Sequence, residues 1–277
     1  MLEDNFYNKS QSINFFKDQI IKDDCSLVVE NITSSSKALL ASIALKKTNK
    51  NVLIITSGKR KDDFYENLET FFKNQVVEFF HSDLLPKDLK DIPPNFDIIG
   101  KRYQALQEIK QAKNPQIVLA SFQSLLENVI NPDKIESSIT SWSLRDNIIF
   151  DDLPNKLSKI GYERQNIVVD KGQFAVRGGI LDIFVSNAIT PYRIEFFDNK
   201  IESIRSFDPN TQKSIEKINK ILICPANENI EKDKKATLLD YLEDNYLVIF
   251  DDVVAIEDEF IAINKLIKTS PNSFFDS

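Results

Sequence analysis

The sequence predicts an α/β protein in which a parallel sheet covered by helices is interrupted by a small antiparallel α+β domain. The runs Asn51–Thr56, Gln116–Ala120 and Tyr246–Phe250 are apolar at nearly every position, which is typical of strands buried on both faces. These runs alternate with segments of helical periodicity, the pattern of a parallel sheet. After about Ile139 the pattern changes, and two-residue alternation dominates the stretches up to Ala226.

The remaining elements follow from the same periodicities. Further strands are predicted at Ser26–Glu30 and Val76–Phe80. Helices are predicted at Ser12–Lys22, Ser36–Lys47, Lys61–Lys73, Ile98–Lys110, Ile149–Ile160, Lys234–Glu243 and Ala255–Lys268. A long loop with three prolines is expected between residues 81 and 97, and a hairpin turn at Asp198–Lys200. We therefore expect one α/β domain in two segments, 1–139 plus 228–277, with an α+β domain at 140–227.

Composition narrows the classes of function. The 277 residues include one histidine and two cysteines, too few for an ordinary zinc site or for most acid–base catalysis, so we expect no metal and no cofactor. A net charge of −7 makes DNA a poor default partner. The sequence has neither a long apolar run nor a signal peptide pattern. A cytoplasmic monomer without membrane contact is expected.

The first candidate site is the position of a nucleotide phosphate-binding loop, where some of the residue types that the loop requires are missing. A nucleotide-driven motor would carry glycines, a lysine and a hydroxyl residue after its first strand. Here Glu30–Leu39 contains Ser34, Ser35, Ser36 and Lys37, but no glycine, and Ala38 stands in the place of the hydroxyl. The serines also fit helix N-caps, and Lys37 a surface lysine. Asp251 and Asp252 fit either an acidic metal-binding pair or a turn or helix cap. We therefore predict an ATPase-like domain without a working nucleotide site.

The most specific stretch runs from Gly161 to Ser214. It contains GQFAVRGGILDIF, PYRIEFFD and IESIRSFDPNTQKS, followed by Leu222–Ala226. These motifs resemble the UvrA-binding domain shared by UvrB and the bacterial transcription-repair coupling factors. Further likeness lies in Leu84–Pro86, Ile98–Leu106 and Ile117–Ser121, so that the resemblance covers roughly residues 10 to 265.

The motifs are shared by two relatives, which differ in their phosphate loop and in a DNA-clamping hairpin. UvrB has an intact phosphate loop and a tyrosine-rich hairpin that clamps DNA, whereas this chain has NITSSSKAL and no comparable hairpin. The chain is thus similar to the N-terminal module of the coupling factors, which implies an adaptor for UvrA rather than an enzyme. In that family RNA polymerase, damaged DNA and ATP-dependent translocation belong to other domains. An active UvrB-like ATPase subunit and a DNA-binding module are the alternatives.

One strand of this stretch carries the predicted interface. In Tyr192–Phe197, alternation places Arg193, Glu195 and Phe197 on one face and apolar residues on the other. Arginine beside an exposed aromatic is typical of interface hot spots. The competing interpretations are that Phe197 packs under a loop, and that Arg177 forms an internal salt bridge with Asp182 or Glu195. The resemblance implies UvrA contact by Arg177, Arg193 and Phe197, with Glu195 and Arg205 as secondary candidates.

Overall fold

The computed structural model describes residues 10–22, 26–58, 61–72, 75–82, 95–228, 236–242 and 246–269. Its α-helices are α1 (Gln11–Gln19), α2 (Ser34–Thr48), α3 (Lys61–Phe72), α4 (Phe96–Gln111), α5 (Phe122–Leu125), α6 (Ile135–Ser138), α7 (Leu153–Lys159) and α8 (Val253–Thr269). Its strands are β1 (Asn51–Thr56), β2 (Val76–Phe79), β3 (Ile117–Ser121), β4 (Thr140–Ser143), β5 (Glu163–Arg164), β6 (Gln173–Arg177), β7 (Ile180–Ile183), β8 (Tyr192–Phe197), β9 (Lys200–Phe207), β10 (Ser214–Lys217), β11 (Lys220–Ile223) and β12 (Tyr246–Phe250). Within the described ranges no helix is long and apolar enough to span a bilayer.

The first compact unit comprises residues 1–79, 111–125 and 242–269. Its parallel sheet has the order β12-β1-β3-β2, with Val52 opposite both Leu247 and Ile117. The apolar side chains of β1 and β3 are almost fully buried, and α2 and α3 pack against one face of the sheet. The predicted parallel sheet and the mixed α/β class are therefore confirmed.

Two predicted elements of regular structure are wrong. Residues 26–30 form no strand, and Val28 is 80% exposed. The segment has strand-like composition, but β-structure requires a hydrogen-bonded neighbour and none of the described strands pairs with it. In the predicted helix at 234–243 the structure has only the 3₁₀ turn Leu238–Tyr241, and residues 231–235 and 243–245 lie outside the described ranges. Most of the predicted loop at 81–97 also lies outside them.

The second compact unit comprises residues 80–110, 126–241 and 270–277. Its main sheet has six strands in the order β10-β9-β8-β7-β6-β5, antiparallel except for the β5–β6 pair. A smaller sheet pairs β4 with β11. The predicted hairpin turn is present between β8 and β9, where Asp198 has a φ of 53°. One face of the main sheet carries the core, which includes Phe174, Leu181, Ile194 and Ile204.

Helix α4 packs closely within this second unit. A Cβ at Gly100 would lie 2.5 Å from the backbone nitrogen of Asn187, so only glycine allows the two backbones to meet. Phe96 packs against the core and would be 2.5 Å from a Cβ at Gly172. The residue ranges of the two compact units thus differ from those of the predicted domains, which were 1–139 plus 228–277 and 140–227. Those domains stay a prediction about which pieces fold independently.

Candidate protein-binding surface

The face of the main sheet opposite its core, called the polar face below, carries rows of charged side chains together with a small buried cluster that includes Ala175 and Phe207. Strand register places Asp182, Arg193 and Arg205 side by side in one row. Two residues further along the strands, Arg177, Ile180, Glu195 and Ser203 form the next row. Successive residues of a strand point to opposite faces, so all five predicted interface residues share this face.

Arg177 and Phe197 lie at the same end of this face. Arg177 precedes the tight turn Gly178–Gly179, where Gly178 has a φ of 56°. The backbone N–H of Phe196 donates to the Gly179 carbonyl at 2.8 Å, which places that turn beside the end of β8. A Cβ at Gly179 would lie 2.8 Å from the Phe196 carbonyl oxygen, so glycine permits this approach. The interpretation that Phe197 packs under a loop is wrong, since its side chain is 70% exposed.

Arg177 forms neither of the salt bridges considered for it. Its guanidinium is exposed and donates to the carbonyl oxygen of Asn166. The candidate carboxylates lie opposite other arginines, because register pairs Asp182 with Arg193. This bond to a carbonyl leaves the charge of Arg177 without a carboxylate partner in the described part of the chain. This side chain can therefore accept an anionic partner group.

Arg193 is the least available of the predicted contacts. Its Nε and Nη2 donate to the two Asp182 carboxylate oxygens at 2.7 and 2.8 Å, and its Cζ lies 4.7 Å from the Phe207 ring centroid. The hydrogen bond to Asp182 raises the pKa of Arg193 above its ordinary value. Asp182 itself is buried, which makes this pair part of the fold as well as of the surface.

The two secondary candidates are paired with each other. Arg205 Nη2 donates to the Glu195 carboxylate, and the Ser203 hydroxyl donates to the same carboxylate at 2.7 Å. Both charged side chains are about one-third exposed. Such an exposed pair contributes little to stability, so each charge can be reused by a partner at small cost.

The phosphate-loop residues form a separate cluster in the first unit. Lys37 Nζ lies 2.5 Å from Asp251 Oδ1, and the Thr56 hydroxyl donates to Asp251 Oδ2 at 3.2 Å. The interpretation of Lys37 as a surface lysine is wrong, because its side chain is 23% exposed and paired. Helix α2 begins at Ser34 with Thr33 as its N-cap, so none of Ser34, Ser35 and Ser36 has that position. The Thr33 hydroxyl instead lies 3.0 Å from that of Ser36.

Asp251 and Asp252 have different roles. Asp251 is buried and pairs with Lys37, which the turn interpretation did not anticipate. Asp252 accepts a hydrogen bond from the Ala255 backbone N–H at 3.1 Å and so caps the start of α8. Among the described residues no group of three or more histidine, cysteine or acidic side chains is arranged to hold a metal.

Sequence reasoning missed the buried cation of the second unit. Arg102 is 1% exposed and donates to Glu127 at 2.8 Å, Glu228 at 2.6 Å and the Phe80 carbonyl at 2.7 Å. Its partners are 22 or more residues away in sequence, so no local pattern reveals them. The only available signal was an arginine on the apolar face of a predicted helix.

Comparison with known proteins bears on this surface. Residues 141–229, which include all five predicted interface residues, match the family described as the UvrB interaction domain. The resemblance inferred from the motifs is confirmed. The chain is also 28% identical over 208 residues to the transcription-repair-coupling factor of Haemophilus influenzae, and 28% identical over 222 residues to that of Bacillus subtilis. Identity with the Escherichia coli transcription-repair-coupling factor is 26% over 202 residues.

These similarities cover most of this chain and a small part of each relative. The matches span 75%, 78% and 73% of this chain, but 18%, 18% and 17% of the three relatives. The chain therefore spans under one-fifth of the length of the curated relatives that it matches. The three relatives named here are coupling factors, one of the two kinds of relative that the motifs suggested.

Proposed function

We propose that this chain is an adaptor of transcription-coupled nucleotide excision repair that binds UvrA through the polar face of its six-stranded sheet. The observation that carries the proposal is the exposed Phe197 at the same end of the polar face as Arg177, within the residues that match the UvrB interaction domain. A large aromatic side chain that is 70% exposed beside the charged rows of this face has no role in the core. In a complex it would provide an apolar anchor.

The arginines suit the same purpose. Among the residues that the structure describes, no carboxylate forms a salt bridge with Arg177, and a guanidinium can pair with a carboxylate through two parallel hydrogen bonds. Around it, Glu195 and Arg205 offer one charge of each sign. We expect UvrA to present an acidic group to Arg177 and an apolar pocket to Phe197.

We also propose that the chain does not bind or hydrolyse ATP. Residues 30–38 contain no glycine that would let backbone N–H groups close on phosphates. Lys37, the residue that would reach those phosphates, instead pairs with Asp251 at 2.5 Å. Recruitment of UvrA to RNA polymerase stalled at damaged DNA would then depend on the domains to which the resemblance assigns polymerase binding and translocation.

Calorimetric titration of the whole chain with purified UvrA tests the proposal. Arg177→Ala should weaken binding roughly tenfold to a thousandfold, because truncation leaves a buried anionic partner group unpaired. Lys220→Ala is the matched control, since Lys220 is an exposed cation of the same unit that lies on the smaller sheet. Wild-type affinity in the Arg177 variant, or no binding by the unaltered chain, would refute the proposed surface.

A further inference from the structure

The turn between β9 and β10 folds over the polar face of the main sheet. Its residues 208–213 follow Phe207, and Gln212 reaches back to Arg193 on β8. Arg193 Nη2 donates to Gln212 Oε1 at 3.3 Å, and Nη1 donates to the Gln212 carbonyl at 3.4 Å. Because the Arg193 side chain projects from the polar face, the turn lies on that face too.

The hydrogen bonds of Arg193 leave little of it for a partner. Two go to Asp182 and two to Gln212, which occupies all but one of the N–H donors of a guanidinium. The flat side of the group lies over the Phe207 ring, and the side chain is 20% exposed. An arginine in this position joins the sheet to the turn.

The turn is held in one conformation by further bonds. Asp208 Oδ1 accepts from the backbone N–H of Asn210 at 3.0 Å, and from the N–H and the hydroxyl of Thr211 at 2.7 and 3.0 Å. Gln212 has a φ of 60°, and its side-chain amide donates to the carbonyls of Pro209 and Val168. A non-glycine residue with positive φ persists only where its surroundings determine the conformation.

This ordered turn buries few of its own side chains. Asn210, Thr211 and Lys213 are exposed, although the backbone that carries them is fixed at both ends. The turn lies next to a small buried cluster that includes Val168 and Phe207, so its backbone is held while its outer side chains face solvent. A preformed surface of this kind loses less conformational entropy on binding. The three exposed side chains supply hydrogen-bond donors and one positive charge.

We propose that the UvrA-binding surface extends onto the 208–213 turn, and that Arg193 is a positioning residue that holds this turn on the sheet. The inference rests on the proposed function and deepens it. Arg177 and Phe197 contact the partner at one end of the face, and Asn210, Thr211 and Lys213 contact it over the neighbouring strands. Arg193 acts through Gln212.

The test uses Gln212→Ala, Arg193→Ala and the double variant Asn210→Ala/Thr211→Ala in the whole chain, with Lys220→Ala as control. Affinity for purified UvrA is measured by calorimetry, and order in the turn by amide hydrogen exchange of residues 208–213. Gln212→Ala should speed amide exchange in the turn and weaken UvrA binding about threefold to thirtyfold. This loss of affinity is smaller than the loss expected when one hot-spot residue is truncated. The double variant should weaken binding by a similar factor.

Three outcomes would overturn the inference. Unchanged exchange in Gln212→Ala would mean that Gln212 does not hold the turn. Faster exchange with wild-type affinity would mean that the turn is outside the interface. Loss of binding in Arg193→Ala with unchanged turn exchange would make Arg193 a direct contact. Each of these leaves the proposed function standing if Arg177→Ala still weakens binding, whereas wild-type affinity in Arg177→Ala would remove the proposed function itself.

Discussion

Ile194 and Phe197 lie three residues apart on β8 and point to opposite sides of the sheet, the first fully buried and the second largely exposed. We expect Phe197→Ala to change the free energy of unfolding by no more than about 0.5 kcal/mol while weakening UvrA binding. Ile194→Ala should cost roughly 2–5 kcal/mol of stability, because it opens a cavity in the core. Thermal unfolding and calorimetry measure the two effects. A Phe197 variant that melts as early as the Ile194 variant, with UvrA binding retained, would contradict this assignment.

Arg193→Ala should destabilise the fold. The alternation of residues in β8 suggests the opposite, because it places Arg193 on the polar face, where substitutions usually have little effect on stability. The change leaves the buried Asp182 carboxylate without its two-point partner. We expect a loss of about 1–3 kcal/mol, less than for a fully buried pair because solvent partly screens Arg193. Urea denaturation measures it.

The double variant Arg193→Ala/Asp182→Ala is the control for that experiment. It removes both charges, so it should be less destabilised than the two single variants together. If the losses of unfolding free energy in the two single variants add up to the loss in the double variant, the two side chains do not stabilise each other. The two-point contact would then contribute nothing to stability.

The β9–β10 turn should respond to acid. Hydrogen bonds from the Thr211 backbone N–H, and then from its hydroxyl, lower the pKa of Asp208. A lowered folded-state pKa means that these bonds stabilise the turn above the ordinary aspartate value of about 3.9, and that the contribution is lost as pH falls through the folded value. Carboxyl-carbon NMR of Asp208 should give a midpoint below that ordinary value. Thr211→Ala should raise the midpoint, and no difference between the variants would contradict the assigned cause.

Calorimetry with Mg-ATP should show no heat of binding. The segment after residue 30 lacks glycine, and a phosphate would have to displace Asp251 from Lys37. Micromolar binding or measurable turnover would refute this expectation and favour the UvrB-like enzyme. In the same chain Lys37→Ala should lower stability, because Asp251 is buried, whereas Lys47→Ala on the exposed side of α2 should not.

Residues 141–226 expressed alone should unfold cooperatively, but at a lower temperature than residues 95–241 in which residues 111–125, part of the first unit's sheet, are replaced by a flexible linker. The shorter fragment lacks α4, and with it the packing of Phe96 on the core and the close backbone contact at Gly100. Differential scanning calorimetry of both fragments measures the difference. Equal melting temperatures would show that α4 adds no stability, and a disordered short fragment would remove the predicted inserted domain.

The local pattern of apolar and polar residues predicted most of the helices and strands, but few of the contacts between residues distant in the chain. Asn51–Thr56 and Tyr246–Phe250 were predicted at the bounds that the structure has, because continuous apolar runs bounded by polar residues are strong strand signals. Ser26–Glu30 has the same composition and forms no strand, since pairing depends on a partner that the segment does not contain. The pattern also did not identify the hydrogen-bond partners of the interface residues. Strand register pairs Asp182 with Arg193, and these two residues are 11 positions apart in the chain.

The buried guanidinium of Arg102 has a topological consequence. It binds the Phe80 carbonyl and the Glu228 carboxylate at once, so two points 148 residues apart in the chain are held within the reach of one side chain. A segment whose entry and exit are adjacent can be inserted into a loop of another protein without stretching its host. Arg102 thus holds the two ends of this segment together, but residues 111–125 within it belong to the sheet of the first unit. The segment could therefore be moved into another protein only with residues 111–125 replaced by a linker.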